Sequence, residues 1–155
     1  MGYAQDPARE LLPSAAPELV VAAWYRMQVQ NAHLLQRLAV EYELNPIDLR
    51  AVKFLGVDDA PKTPKDLARF LQVGSSLVSA VIERLESRQF IGRAPNPRDR
   101  RSTLLHLEPR GTRVVEQLRG LYGQALSGLL GHADQDAVLA ATNEIERGLR
   151  AAASS

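Results

Sequence analysis

Residues 63–111, TPKDLARFLQVGSSLVSAVIERLESRQFIGRAPNPRDRRSTLLHLEPRG, constrain this chain more than any other stretch. Thr63-Pro64-Lys65-Asp66 is a helix start, with a hydroxyl to cap, proline in the first turn and an acid where the helix dipole favours one. The helix runs to Leu71 and turns Leu67, Ala68 and Leu71 inward. Gln72-Val73-Gly74 is a turn, with Gly74 at a cap position and able to permit close approach. Over residues 75–88, Val78, Val81, Ile82 and Leu85 recur at the spacing of one helix face. The opposite face carries Ser75, Ser76, Ser79, Ala80, Glu83, Arg84 and Ser87, small enough at its start to let a backbone lie close to DNA. Two alternating segments follow, residues 90–93 and 103–107, which predict a ribbon. Pro95-Asn96-Pro97 stiffens its tip, which displays Arg98, Asp99, Arg100 and Arg101. Two helices on a tight turn, then a ribbon with a basic tip, make a winged helix-turn-helix. Its second helix suits a major groove, and its wing suits phosphates or a minor groove.

Charge agrees once it is divided. The formal net charge is only +1, but residues 84–113 hold eight arginines against Glu86, Asp99 and Glu108, a local +5 that leaves −4 elsewhere. A basic site on a mildly acidic body fits one phosphate-binding surface.

The flanks predict helices. Residues 1–16 contain Pro7 and Pro13 and read as an extended arm. Residues 17–42 have no glycine and no proline after the first position, with Leu19, Ala22, Ala23, Met27, Leu34, Leu38 and Tyr42 near helical spacing. Asn45-Pro46-Ile47-Asp48 starts a further helix to Leu55, burying Leu49, Val52 and Leu55 or Phe54. After the ribbon, a helix over 109–130 puts Val114 or Val115, Leu118, Leu121, Tyr122, Ala125 and Leu129 near one side. His132-Ala133-Asp134 breaks it, and Asp134 caps a last helix to about Arg150 with Val138, Ala141, Ile145 and Leu149 inward. The fold class is therefore mainly α with a small β-ribbon. A winged core at 45–108 is flanked by apolar helical arms at 17–44 and 109–155, which the resemblance described below implies are dimerisation regions.

Several functions are excluded or disfavoured. With no cysteine there is no disulfide, thiolate metal site or thiol switch. His33, His106 and His132 lack ligand spacing, so no metal site is expected. No nucleophile with its base, paired carboxylates or phosphate-cradling glycine loop is present, so the chain does not read as an enzyme, and no cofactor is expected. The N-terminus lacks a basic start followed by an apolar stretch, and no apolar run reaches the ~20 residues of a membrane span, so a cytoplasmic protein is expected.

The segment IERLESRQFIGRAPNPRDRR, followed by a strand and then Leu107 to Gly111, closely resembles the core of the MarR family of bacterial regulators. The resemblance implies an obligate homodimer with interleaved N- and C-terminal helices. It implies double-stranded DNA with a pseudo-palindromic operator as partner, and most often a repressor relieved by a small aromatic or phenolic ligand. Carried onto this chain, Asp99 and Arg101 brace the wing, while an adjacent arginine enters the minor groove, with Arg98 and Arg100 as candidates and Arg100 preferred, since a planar, weakly hydrated guanidinium fits there. Ser75, Ser76, Ser79 and Arg84 face groove or phosphate, and Thr63 caps its helix and touches backbone phosphate. Trp24, Tyr25, Met27, His33 and Phe54 lie in the helices that wall the family's ligand pocket, with ordinary core and dimer packing as their other reading.

Three departures stand out. Gln89 occupies a position where the family has a left-handed glycine, at a cost of about 1–2 kcal/mol. Glu108 replaces a capping threonine, with Pro109 compensating in part. Ala80, with Leu77 nearby, replaces a frequent base-contacting arginine, which shifts expected specificity toward DNA shape and thymine methyl contact. Two other functions stay open: a winged helix that binds DNA without a ligand, and one repurposed to bind protein.

Overall fold

The computed structural model describes residues 17–153; the expected arm at 1–16 lies outside the described residues. The elements run α1 (Pro17–Glu41), α2 (Pro46–Leu55), α3 (Pro64–Leu71), α4 (Ser75–Ser87), β1 (Ile91–Pro95), β2 (Thr103–Leu107), α5 (Pro109–His132) and α6 (Gln135–Ala152). The chain divides into two compact units, one ending at Leu49 and the other beginning at Arg50.

In the first unit, α1 closes on a left-handed residue. Glu43 has φ 54°, and the Leu44 N–H reaches back to the Ala39 carbonyl at 2.8 Å. Asn45 then caps α2, its Oδ1 accepting from the Asp48 N–H at 2.9 Å, as its sequence position predicts. Leu38, Ala39, Leu44 and Leu49 are buried, whereas Leu19, Val20, Val21, Tyr25, Met27 and Val29 are each more than half exposed. The apolar spacing of α1 is therefore largely uncovered within one chain.

The second unit holds the winged core. The Thr63 hydroxyl accepts from the Asp66 N–H, and the Asp66 carboxylate accepts from the Thr63 N–H, so α3 begins on a complete capping box. Leu67 and Leu71 are buried and Ala68 is half-buried. α3 ends on Gln72 in the left-handed region, φ 58°. Gly74 caps α4 with φ −71° and open space around it, so neither its backbone nor its surroundings require glycine. Val78, Val81, Ile82 and Leu85 are all buried, and burial of four such side chains stabilises α4 by roughly 1.5–3 kcal/mol each.

The ribbon differs from expectation at its start. Phe90 lies outside β1: its N–H closes α4 onto the Leu85 carbonyl at 2.9 Å, and its ring is fully buried. β1 instead begins at Ile91 and runs through Pro95, antiparallel to β2, from Ile91 opposite Leu107 to Pro95 opposite Thr103. Pro95 is tolerated because it ends the strand, where no ladder donor is needed. A third segment joins: Lys62 bridges to Leu105, whose N–H donates to the Lys62 carbonyl at 2.8 Å.

α5 starts at Pro109 with no side-chain cap from Glu108, as the departure from threonine implies. Val114, Val115 and Leu118 are buried, but every residue from 123 to 132 is exposed. Asp134 caps α6 through the N–H groups of Asp136 and Ala137. The stripe expected inward on α6 is not buried. Val138 is half-buried, and Ala141, Ile145 and Leu149 are exposed, because none of the described residues covers them.

Candidate nucleic-acid interface

α4 presents the face its sequence predicts. Ser75, Ser76, Ser79 and Ala80 are exposed and Arg84 is half-buried. The first two turns are thus slim on their outward side, and no long side chain holds the backbone away from a partner. The helix starts at Gly74 without a side-chain cap, so its first N–H groups take no side-chain acceptor there.

The wing tip is a hydrogen-bonded turn. Asn96 Oδ1 accepts from the Arg98 N–H at 3.0 Å, and Asp99 Oδ1 accepts from the Arg101 N–H at 2.9 Å. Asn96 Nδ2 also donates to Ser102 Oγ at 2.8 Å, and the Ser102 N–H donates to the Asp99 carbonyl at 3.0 Å. Short Asx side chains that bond the backbone two residues on are what fix such turns. The result points Arg98, Arg100 and Arg101 into solvent, all exposed. The contact between Asp99 and Arg101 runs through the main chain of Arg101, leaving its guanidinium outside that bond. Sequence reading places Asn96 in the stiffened tip but misses its hydrogen bonds and misses Ser102; the signal is an Asn two residues ahead of Arg98, the same local pattern as Asp99 and Arg101.

Thr63 meets the wing. Thr63, Lys65, Asp99, Arg101 and Ser102 line one groove between the start of α3 and the tip, and Thr63 and Arg98 line a neighbouring one. The bonds from the Thr63 N–H and hydroxyl, joined by the charges of Arg69 and Lys65, hold the Asp66 carboxyl below the usual carboxylate range.

Sequence reading also misses Lys62: Asp58 four positions back is a local partner for its charge, but nothing local signals its burial or its bridge to Leu105. Its side chain is only 8% exposed, yet its ammonium bonds the Asp58 carboxylate at 2.5 Å and the carbonyls of Asp58 and Ala60. It lies 5.4 Å from the centre of the Phe54 ring. Hydrogen bonding from Lys62 lowers the Asp58 pKa, with the Ala60 N–H adding to the effect. One residue therefore ties the loop before α3 to the ribbon, by its backbone and by its charge.

The eight arginines of residues 84–113 do not form one patch. Arg93 pairs with Glu86 at 2.9 Å, joining β1 to α4. Arg88 and Arg110 lie against the Phe90 ring at 5.4 and 4.4 Å, and Arg110 donates to the Arg88 carbonyl. These three have structural partners, which leaves Arg98, Arg100 and Arg101 exposed together at the wing tip with Lys65 beside it, and Arg113 exposed on α5.

Of the expected ligand-binding residues, Phe54 stacks on Phe70 with ring centroids 4.4 Å apart. Trp24 is half-buried, and Tyr25, Met27 and His33 are exposed on α1. A solvent-open cleft of about 520 Å³ is bounded by the α2–α3 loop, β2 and α5, with Leu55, Asp58, Leu105, His106, Val115 and Arg119 on its walls. None of Trp24, Tyr25, Met27, His33 or Phe54 contributes to that lining. Among the described residues no group of three or more histidines and carboxylates is placed to hold a metal ion, and no helix is long and apolar enough to cross a membrane.

Comparison with known proteins agrees with this geometry. The MarR family profile matches residues 58–103, the segment from the Lys62 loop through the wing tip. The chain is 34% identical to the multiple antibiotic resistance protein MarR of Escherichia coli over 94 residues, which span 58% of this chain and 65% of that protein, just under two thirds of its length. It is 31% identical over 106 residues to the uncharacterized HTH-type transcriptional regulator YdcH of Bacillus subtilis, spanning 66% of this chain and 70% of that protein. Among solved structures it is similar to a MepR mutant from a multidrug resistant S. aureus clinical isolate, with a TM-score of 0.68 at 16% identity over 84% of this chain and 96% of the other. The S. aureus MepR–DNA complex is similar too, with a TM-score of 0.55 at 17% identity over 82% of this chain and 98% of the other. With a matching core profile, a regulator relative covered over 70% of its length and the same winged helical fold, this chain belongs to the MarR family.

Proposed function

We propose that this chain is a sequence-specific DNA-binding transcriptional regulator that acts as a homodimer on a pseudo-palindromic site. The observation that carries this reading is the wing tip: a turn locked by Asn96, Asp99 and Ser102 that holds three exposed arginines outward. In this reading α4 enters a major groove with Ser75, Ser76, Ser79 and Arg84 toward base edges and phosphates. Arg98 and Arg100 reach the adjacent minor groove, Asp99 and Arg101 brace the turn, and Thr63 sits at the backbone. That a MepR–DNA complex shares this fold supports DNA as the partner.

The dimer reading is supported by exposed apolar residues on the flanking helices. Leu126, Leu129 and Leu130 on α5, and Leu139, Ile145 and Leu149 on α6, are between 36% and 59% exposed. Such stripes on a monomer mark an interface, and a second copy supplies a matching one. A cytoplasmic location follows from a DNA partner.

Repression relieved by a small aromatic or phenolic ligand completes the reading. Trp24, Tyr25, Met27, His33 and Phe54 are one aromatic-rich set for it, and the 520 Å³ cleft is of a size that takes such a molecule. A ligand preferring a dimer whose reading helices cannot reach successive grooves would shift the population off DNA. The test is fluorescence anisotropy with the duplex upstream of the protein's own gene, against scrambled DNA, at low and physiological salt, repeated with a panel of aromatic acids. Tight sequence-dependent binding supports the regulator, and weakening by an acid supports ligand control. Weak, salt-insensitive binding equal on both duplexes would overturn it in favour of a winged helix that serves a protein partner.

A further inference from the structure

We infer that α4 reads its DNA site chiefly through C5-methyl groups in the major groove, with Leu77 and Ala80 as the residues that set specificity. This rests on the proposal that the chain binds DNA through α4.

Leu77 is the outlier of its helix. Val78, Val81, Ile82 and Leu85 are at most 4% exposed, while Leu77 is 44% exposed. It is not recruited to the core, and Ala80, three residues on, is exposed beside it on the same side of the helix. Bidentate recognition of guanine needs Arg or Lys, and that of adenine needs Asn or Gln. Residues 75–82, SSLVSAVI, contain none of these. Glu83 and Arg84 are the first long polar side chains, and Arg84 is half-buried. The serines at 75, 76 and 79 are short enough to let the helix approach base edges closely.

An apolar pair carried at that distance has one apolar partner in a major groove: the C5-methyl of thymine, or of 5-methylcytosine. Long-range attraction to the duplex comes from the exposed charges of the wing tip and Lys65, so the first turns of α4 need not be charged to bind. Burying Leu77 against a methyl removes exposed apolar surface from water on both partners. The consequence is that methylation of cytosine at C5 strengthens binding wherever the cytosine stands in for a contacted thymine. Gln72, exposed in the turn ahead of α4, is the competing reader, since its amide could recognise adenine.

The experiment selects binding sites for the full chain from a random duplex pool, then replaces each thymine of the selected site singly by deoxyuridine, which removes only the methyl. At one or two positions deoxyuridine is expected to weaken binding about three- to tenfold, the worth of one buried methyl group or somewhat more. Leu77→Ala, an exposed substitution, should bind the thymine and deoxyuridine duplexes alike at those positions. Changing the same T·A pair to C·G should weaken binding, and 5-methylation of that cytosine should recover most of the loss. Selection of a defined sequence with no sensitivity to deoxyuridine anywhere would overturn methyl readout and leave the regulator standing, with Gln72 as reader. If selection enriches no sequence, the DNA-binding reading itself fails, and this inference with it.

Discussion

The backbone of Gly111 lies directly against the carbonyl oxygen of Phe90. A Cβ at Gly111 would overlap that oxygen and come within 3.1 Å of Leu107 Cδ2. The same carbonyl accepts the Glu108 N–H at 3.0 Å, so it cannot turn away without losing a ladder bond where β2 enters α5. Gly111→Ala should therefore destabilise the fold by about 1–3 kcal/mol, the range for overpacking a tight site. Urea unfolding measures it directly, and a midpoint equal to that of the parent would show that the crossing is looser than this geometry.

Gln89 makes the turn out of α4 at φ 59°, a region that costs a side-chain-bearing residue about 1–2 kcal/mol. Gln89→Gly should raise stability by about 0.5–1 kcal/mol, less than the full strain because glycine also frees the unfolded chain. Gln89→Val should lower it, since β-branching suits that region worst. Thermal melts of the three proteins should rank Gly, Gln, Val.

At Lys62 the two partners of one ion pair are unequal. The Lys62 side chain is 8% exposed and that of Asp58 58%. Removing Asp58 strands a buried ammonium on two carbonyls, whereas removing the ammonium leaves a carboxylate that water can solvate. Asp58→Ala should therefore lower the urea midpoint more than Lys62→Met does. Equal losses in denaturant titrations would mean that the pair matters as a contact and the buried charge does not.

The capping box at α3 makes part of the stability depend on acid. Bonds from the Thr63 N–H and hydroxyl lower the Asp66 pKa in the folded chain. A group depressed on folding stabilises above its unfolded pKa of about 3.9 and loses that contribution as pH falls through the folded value. Unfolding free energy should therefore fall below about pH 4 more steeply in the parent than in Asp66→Asn, in which the group does not titrate. Thr63→Ala should cost about 1 kcal/mol at neutral pH through the lost cap.

On the wing, Arg100→Ala should weaken DNA binding, and the mode of loss is informative. If the guanidinium contacts a phosphate, the slope of log affinity against log salt should drop by about 0.9, one phosphate's worth. If it enters a narrow minor groove, the loss should be confined to sites with A·T-rich flanks. An unchanged affinity and slope would remove Arg100 from the interface.

Local chemistry made much of this protein legible in the sequence. Helix starts at Asn45, Thr63 and Asp134 and the buried stripe of α4 all depend on residues within about seven positions of one another, which is the reach of capping and helical periodicity, whereas the left-handed Gln89 was expected from the family resemblance. Tertiary structure decided what spans the chain. Phe90 left the strand because its buried ring and its carbonyl answer to Arg110, Glu108 and Gly111, some twenty residues away. The burial of Lys62 carries no local signal, although Asp58 lies only four positions back, since the strand it bridges lies more than forty positions on, at Leu105. The basic stretch was visible as a count, but only folding showed that Glu86 and the Phe90 ring occupy three of its arginines and leave the wing tip charged. The stripe of α6 reads as core in sequence and is exposed in one chain, because periodicity records that a face is to be covered and does not record by what.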